Sequence, residues 1–238
     1  MLFFKNHSYI TFNLNDFSFS SDIILDIIKI GLPASLSMIV MAVGQGVFNK
    51  ILVHISVETV AAYQVAGRLD MLVFLPIFSI AASLTTLIGM FYGAKEYEAL
   101  RFTIRYGIFS ALIITIFSSA TVYIFADQVV RFFTEDESIV IIAVNFLQIF
   151  AFAYPFIAVG ITTGRVLQGL GKGLPVLVIT IVRVLGVSAP LSLFFIFVMD
   201  KSVEWVWYSM MLSTVVAFAI GLTWLFSTVK KLPVKNTV

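Results

Sequence analysis

Residues 63–95, YQVAGRLDMLVFLPIFSIAASLTTLIGMFYGAK, constrain this chain more than any other stretch. Most of the run is apolar on every side, which no helix on the surface of a water-soluble domain can be. It also exceeds the ~20 residues that cross a bilayer. Yet it carries Arg68, Asp70 and Pro76. A strong base and a strong acid on a membrane helix are costly unless partnered or wetted, so both are functional candidates by default. The proline removes a backbone donor and predicts a bend near the two charges. Interrupted helices beside polar groups are where secondary transporters hold their cargo.

The rest of the chain is of the same kind. Only 12% of its 238 residues are charged, against 60% hydrophobic. A soluble domain carries about 25% charged residues. At ~20 residues per crossing the chain has room for roughly six spans and little else. With no cysteine, a disulfide framework and a thiolate metal site are both impossible. A net charge of +2 is too small to predict nucleic acid as a partner. No cleavable signal is expected, because the first 22 residues lack a charged start followed by an apolar run.

Taken in order, residues 1–22 read as a polar cytoplasmic linker or surface segment. Residues 23–231 read as a six-helix transmembrane lobe, and 232–238 as a cytoplasmic tail. The predicted spans are 27–53, 59–92, 106–125, 139–167, 174–199 and 203–229, with Trp205 and Trp207 as interface anchors at the start of the last. The lysines and arginines set the orientation. With the N-terminus inside, ten basic residues fall on the inner side: Lys5, Lys29, Lys95, Arg101, Arg105, Arg165, Lys172, Lys230, Lys231 and Lys235. Only Lys50, Arg131 and Lys201 fall outside. Both termini are therefore expected in the cytoplasm, on a multi-pass protein of the cytoplasmic membrane.

Polar residues inside the spans define a candidate site. Spans one and two form a hairpin turning near Ser56, so Asn49 should lie level with Tyr63 and Gln64, and Gln45 with Arg68. Gln45 and Asn49 share a helix face, as do Gln64 and Arg68. Asn145 and Gln148 share a face of the fourth span, giving three helices with polar groups in the outer half. Asp70 sits ~200° around its helix from Arg68, so the two do not pair on one face. Arg183, counted from the inner end of its span, is expected well inside the level of Asp70. A direct Asp70–Arg183 bridge is disfavoured.

Each residue also has a plainer reading. Arg68 and Asp70 would fit the outer headgroup layer, with Arg68 snorkelling, and the amides would fit as packing glue. The run Glu135-Asp136-Glu137 reads as solvated surface. Gly169-x-Gly-x-Gly reads as a tight turn between spans, lacking the strand and spacing of a nucleotide site. His7 and His54 are isolated, so no metal site is expected. HExxH and GxSxG are absent, and nothing predicts an enzyme.

Several strings carry a family resemblance: IIKIGLPASLSM, AAYQVAGRLD with a later FLP, FYGAKEYEALR, RFFTEDESIV, Tyr154-Pro155, LQGLGKG and Arg183 in the fifth span. In order and spacing, over Asp22 to Lys231, they resemble the C-terminal half of a multidrug and toxic compound extrusion (MATE) transporter. The resemblance implies an all-α fold in which this six-helix bundle is one lobe of a twelve-helix antiporter. Such proteins expel amphipathic or cationic small molecules in exchange for Na⁺ or H⁺, with no other cofactor, by rocking between outward-open and inward-open states. It also implies a truncated reading frame, a split gene product or a fragment, with a first six-helix lobe or a second copy as partner.

Two departures from the family pattern stand out. The usual Gly-Gln reads Gly89-Met90, and the acidic residue many relatives carry in the first span of this lobe is replaced by Gln45 and Asn49. Coupling then falls to the absent lobe or to Asp70, an acidic side chain within a span. The expected cavity residues are Gln45, Asn49, Gln64, Arg68, Asp70, Asn145, Gln148 and Arg183. The alternatives are a lipid-linked oligosaccharide flippase of the same superfamily, its phosphates held by Arg68, Arg165 and Arg183, and a non-transporting membrane subunit or remnant.

Overall fold

The computed structural model describes residues 20–233. The linker predicted at 1–22 and the tail at 232–238 lie almost wholly outside these residues. The described chain is helical: α1 (Ser21–Ile55), α2 (Val57–Gly93), α3 (Tyr97–Arg131), α4 (Glu137–Ala151), α5 (Tyr154–Gly169), α6 (Leu174–Ile181), α7 (Ala189–Leu193) and α8 (Glu204–Lys230). Two π-helical stretches, Val182–Ser188 and Phe194–Val198, make α6 and α7 one 25-residue span. Five helices are long and apolar enough to cross a membrane, and the bent pair α4–α5 supplies a sixth. The described residues thus form an all-α, six-span membrane bundle.

Local chemistry sets the boundaries. Ser56, in extended backbone, ends α1 and caps α2, its hydroxyl accepting from the Thr59 amide at 3.1 Å. Asp136 caps α4 by accepting from the amides of Ser138 and Ile139. Both side chains satisfy amides that a helix start leaves without partners. Gly171 takes a positive φ of 77° in the glycine-rich turn between α5 and α6, where a left-handed residue costs least as glycine.

Three sequence expectations need correction. The fourth span, predicted continuous from Ile139 to Leu167, is two helices bent by 59°. By contrast, α2 continues through Pro76 as one helix from Val57 to Gly93. Trp207 is also not an interface anchor. It is fully buried, while Trp205 is 38% exposed. Two residues on a helix lie ~200° apart, so a pair of that spacing cannot share one environment.

The basic ends gather on one side of the bundle. Arg101 at the start of α3 donates to the Leu232 carbonyl at 2.9 Å, beyond the end of α8. Lys172 reaches Thr228 of α8 at 3.3 Å. Ile30 of α1 meets Gly173, and Thr85 of α2 meets Gly169. Arg131 pairs with Asp127 and Glu137 where α3 turns into α4.

Two of these contacts leave no room for a side chain. A Cβ on Gly173 would stand 2.7 Å from the Ile30 carbonyl oxygen, and one on Gly169 would stand 2.7 Å from the Thr85 carbonyl oxygen. Backbone oxygens cannot swing aside as a flexible side chain does. Gly173→Ala is expected to destabilise by about 1–3 kcal/mol, the cost typical of overpacking. Gly31→Ala, with nothing within 4 Å, is the control. Equal thermal melting of the two variants would remove the close-contact argument.

Candidate functional site

The site is built by Pro155. Its ring lacks the amide that would bond the carbonyl four residues earlier, Ala151. The Ser119 hydroxyl of α3 donates to that carbonyl instead. The chain turns through Phe152 and Ala153, and α5 begins at Tyr154 with the proline in its first turn. Tyr154 is thereby driven into the bundle, fully buried. Its ring stands edge-on to Phe74 of α2, centroids 5.3 Å apart. One turn before Phe74, the half-buried carboxylate of Asp70 accepts the Tyr154 hydroxyl proton. An acidic side chain well inside α2 is therefore held at the helix break.

A second group gathers around Tyr63, two turns from Asp70 on the same face of α2. Its ring stacks on Trp207 at 5.8 Å and meets Phe146 edge-on at 5.7 Å. Gln45 of α1 lies beside its side chain, and both Asp70 and Arg183 lie within electrostatic range of its hydroxyl. Arg183 sits in the first π-helical stretch, a distortion common at functional sites. Its neighbour Val184 packs so tightly on Gly44 that a Cβ there would approach to 2.3 Å.

Arg183 therefore shares the layer of Gly44, Gln45 and Tyr63, not one far inside Asp70 as residue counting predicts. Among the described residues no ion pair joins Asp70 to Arg183 or Arg68. Gln64 donates to Asn49 at 3.3 Å across the α1–α2 hairpin, while Gln45 and Arg68 are exposed. A double-mutant cycle of Asn49→Leu and Gln64→Leu should give a coupling of about 0.6 kcal/mol, the average for such membrane pairs. Strict additivity would show that the contact contributes nothing.

Asn145 and Gln148 do not join this group. They line a separate groove with Asp127 and Arg131 of α3. The buried face of α4 is instead Ala143, Phe146, Leu147 and Phe150, with Phe146 edge-on to Trp207 at 4.9 Å. In place of the predicted contribution from Asn145 and Gln148, α5 and the first π-helical stretch join α1 and α2. Tyr154, Tyr63 and Trp207 were missed as site residues. A tyrosine directly before a mid-span proline was the available signal for the first.

The described residues thus form a six-span bundle with one broken span and a carboxylate held at the break. The MatE family model matches residues 33–194, more than half of the chain. The chain belongs to the MatE family. Among its relatives is "Probable multidrug resistance protein NorM" of Thermotoga maritima, 27% identical over 176 residues, or 74% of this chain and 37% of that protein. Another is "Probable multidrug resistance protein YoeA" of Bacillus subtilis, 24% identical over 72% of this chain and 37% of that protein. An outward-facing multidrug resistance MATE transporter of the MOP superfamily aligns at TM-score 0.89 and 29% identity, covering 98% of this chain and 52% of that one. A MOP-superfamily transporter from Pyrococcus furiosus aligns at TM-score 0.87 and 30% identity, covering 97% and 52%. The chain spans about half the length of the solved transporters it matches.

Proposed function

We propose that this chain is the second six-helix lobe of a cation-coupled exporter. Its substrates are amphipathic or cationic small molecules, and Na⁺ or H⁺ drives their exchange across the cytoplasmic membrane. The basic end of the bundle faces the cytoplasm, and a first six-helix lobe or a second copy completes the cavity. One observation carries the reading: Asp70 is held by the buried Tyr154 at the point where the α4–α5 span breaks. A carboxylate there can bind one cation at a time. It shifts the lobe between states only by the difference in affinity that the two states have for that cation.

The test is ethidium efflux from drug-sensitive cells expressing the chain alone, or with a first lobe taken from a matching transporter. Efflux is expected only with the partner. No efflux in either arrangement, with insertion verified, would sink the exporter reading. The flippase reading rests on Arg183, which has no ion-pair partner among the described residues. Retention of an anionic lipid headgroup, lost in Arg68→Ala and Arg183→Ala, would promote it.

A further inference from the structure

The exposed side of α8 carries a groove that the central site leaves unused. It holds about 480 Å³ and is lined by Ala219, Ile220, Thr223, Trp224 and Ser227. The opposite side of the helix, through Ala217, Gly221, Leu225 and Thr228, is buried against the bundle. The groove offers a hydrocarbon surface in spite of its two hydroxyls. Thr223 donates to the Ala219 carbonyl and Ser227 to the Trp224 carbonyl, each at 2.8 Å, so both spend their protons on their own helix. From Ala219 to Ser227 is about 12 Å at helical rise. That is close to half of a hydrocarbon core ~30 Å thick, the depth of one leaflet.

Positive charge closes the groove at one end. Lys230 and Lys231 follow Ser227 by three and four residues, which puts them on the same helix face one turn further on. Both are exposed. Arg101 and Lys172 flank them. Arg101 donates to the Leu232 and Pro233 carbonyls at 2.9 and 3.3 Å, and Lys172 to the Thr228 hydroxyl at 3.3 Å. All of those acceptors are uncharged. No acidic residue occurs from Trp205 to Pro233, and among the described residues none of the four cations is in an ion pair, not even with Glu96 or Glu98 at the start of α3.

We propose that this groove seats an anionic phospholipid of the leaflet at the basic end of the bundle. Its phosphate lies against Lys230 and Lys231, and one acyl chain runs along Ala219 to Ser227. Juxtamembrane lysines and arginines attract anionic headgroups. Trp224, about 9 Å inside Lys230 at helical rise, has the shallow depth at which indoles settle. Other occupants fit worse. A second copy docked side by side on this face would bring each Lys230–Lys231 pair toward its equivalent. A zwitterionic headgroup brings no net charge to set against four cations. The inference does not depend on the exporter reading, which rests on Asp70 and Tyr154 of other helices.

The experiment uses the full chain in nanodiscs of phosphatidylcholine carrying a minor share of phosphatidylglycerol, with retained lipid counted by native mass spectrometry. Lys230→Gln and Lys231→Gln, singly and together, remove charge and leave the groove open. Ala219→Phe and, separately, Thr223→Leu fill the groove and leave the charges. Lys95→Asn removes a cation that lies off α8, in a turn whose φ of 60° asparagine tolerates. All of these positions are exposed, and thermal melting verifies that each variant folds. Because the chain has no cysteine, Thr223→Cys reports by disulfide formation whether a second copy covers the groove.

The expected result is selective retention of phosphatidylglycerol, weakened about fivefold for each lysine removed. Each filled-groove variant should weaken it by a similar factor, and Lys95→Asn should leave it unchanged. Equal loss in Lys95→Asn would reduce the effect to diffuse attraction by the basic end and overturn the proposal. So would retention that the filled-groove variants leave unchanged, equal retention of the two lipids, or disulfide-linked pairs of Thr223→Cys chains in place of lipid.

Discussion

Replacing Asp70 with asparagine is expected to abolish coupled export in cells that also express a first lobe, while leaving the protein folded and inserted. The substitution is nearly isosteric, and the asparagine carbonyl can still accept the Tyr154 hydroxyl proton, so the α2–α5 contact survives. What disappears is the charge. A site without one has no cation to exchange, and the lobe loses the differential affinity that would move it between states. Tyr154→Phe separates charge from hydrogen bond. It keeps the ring against Phe74 but withdraws the one donor that Asp70 has among described side chains. A hydrogen bond to a charged group contributes about 1.5–3 kcal/mol, so the half-maximal driving-cation concentration should shift by roughly tenfold or more. Full efflux in Asp70→Asn at equal expression would move coupling to the other lobe.

Much of this architecture was legible in the sequence because bilayer physics leaves few choices. With nothing in the hydrocarbon to bond a free amide, an apolar run of this length has to be a helix. Six runs divided by polar turns therefore gave the bundle. The alternation of basic ends was legible for the same reason, and Arg101–Leu232 and Lys172–Thr228 are its contacts. Chain separation did not hide the Asn49–Gln64 pair either, because a tight hairpin fixes the register by residue count alone.

What stayed hidden depended on direction around a helix or on relative height between helices. Pro76 and Pro155 look alike in sequence, yet only Pro155 breaks its helix. There Ser119 stands ready to take the freed Ala151 carbonyl, and a partner on another helix cannot be read from local spacing. Asn145 and Gln148 share a face, as expected, but which face meets the core is decided by Phe146 and Phe150. Bulky aromatics at that spacing were the better guide. Arg183 was misplaced because counting along single helices does not fix the height of one helix against another, which the Val184–Gly44 contact does.

The same blindness to facing applies to Trp207, whose replacement by alanine should be the most damaging single change to stability. The indole is fully buried, stacked on Tyr63 at 5.8 Å and edge-on to Phe146 at 4.9 Å. In a soluble core, Trp→Ala costs about 3–5 kcal/mol. Inside a bilayer the transfer part shrinks, since lipid tails are as apolar as the core. The lost dispersion contacts and the cavity remain, so a cost of roughly 2–4 kcal/mol is expected. Loss of the indole would also remove the ring on which Tyr63 stacks. Trp207→Phe provides the contrast. The indole nitrogen has no hydrogen-bond partner among the described residues, so phenylalanine removes an uncompensated donor while keeping an aromatic face. Thermal melting in detergent should put Trp207→Phe within about 1.5 kcal/mol of the parent, and Trp207→Ala well below both. Equal melting of the two variants would mean that the nitrogen, through a bound water, matters more than the ring.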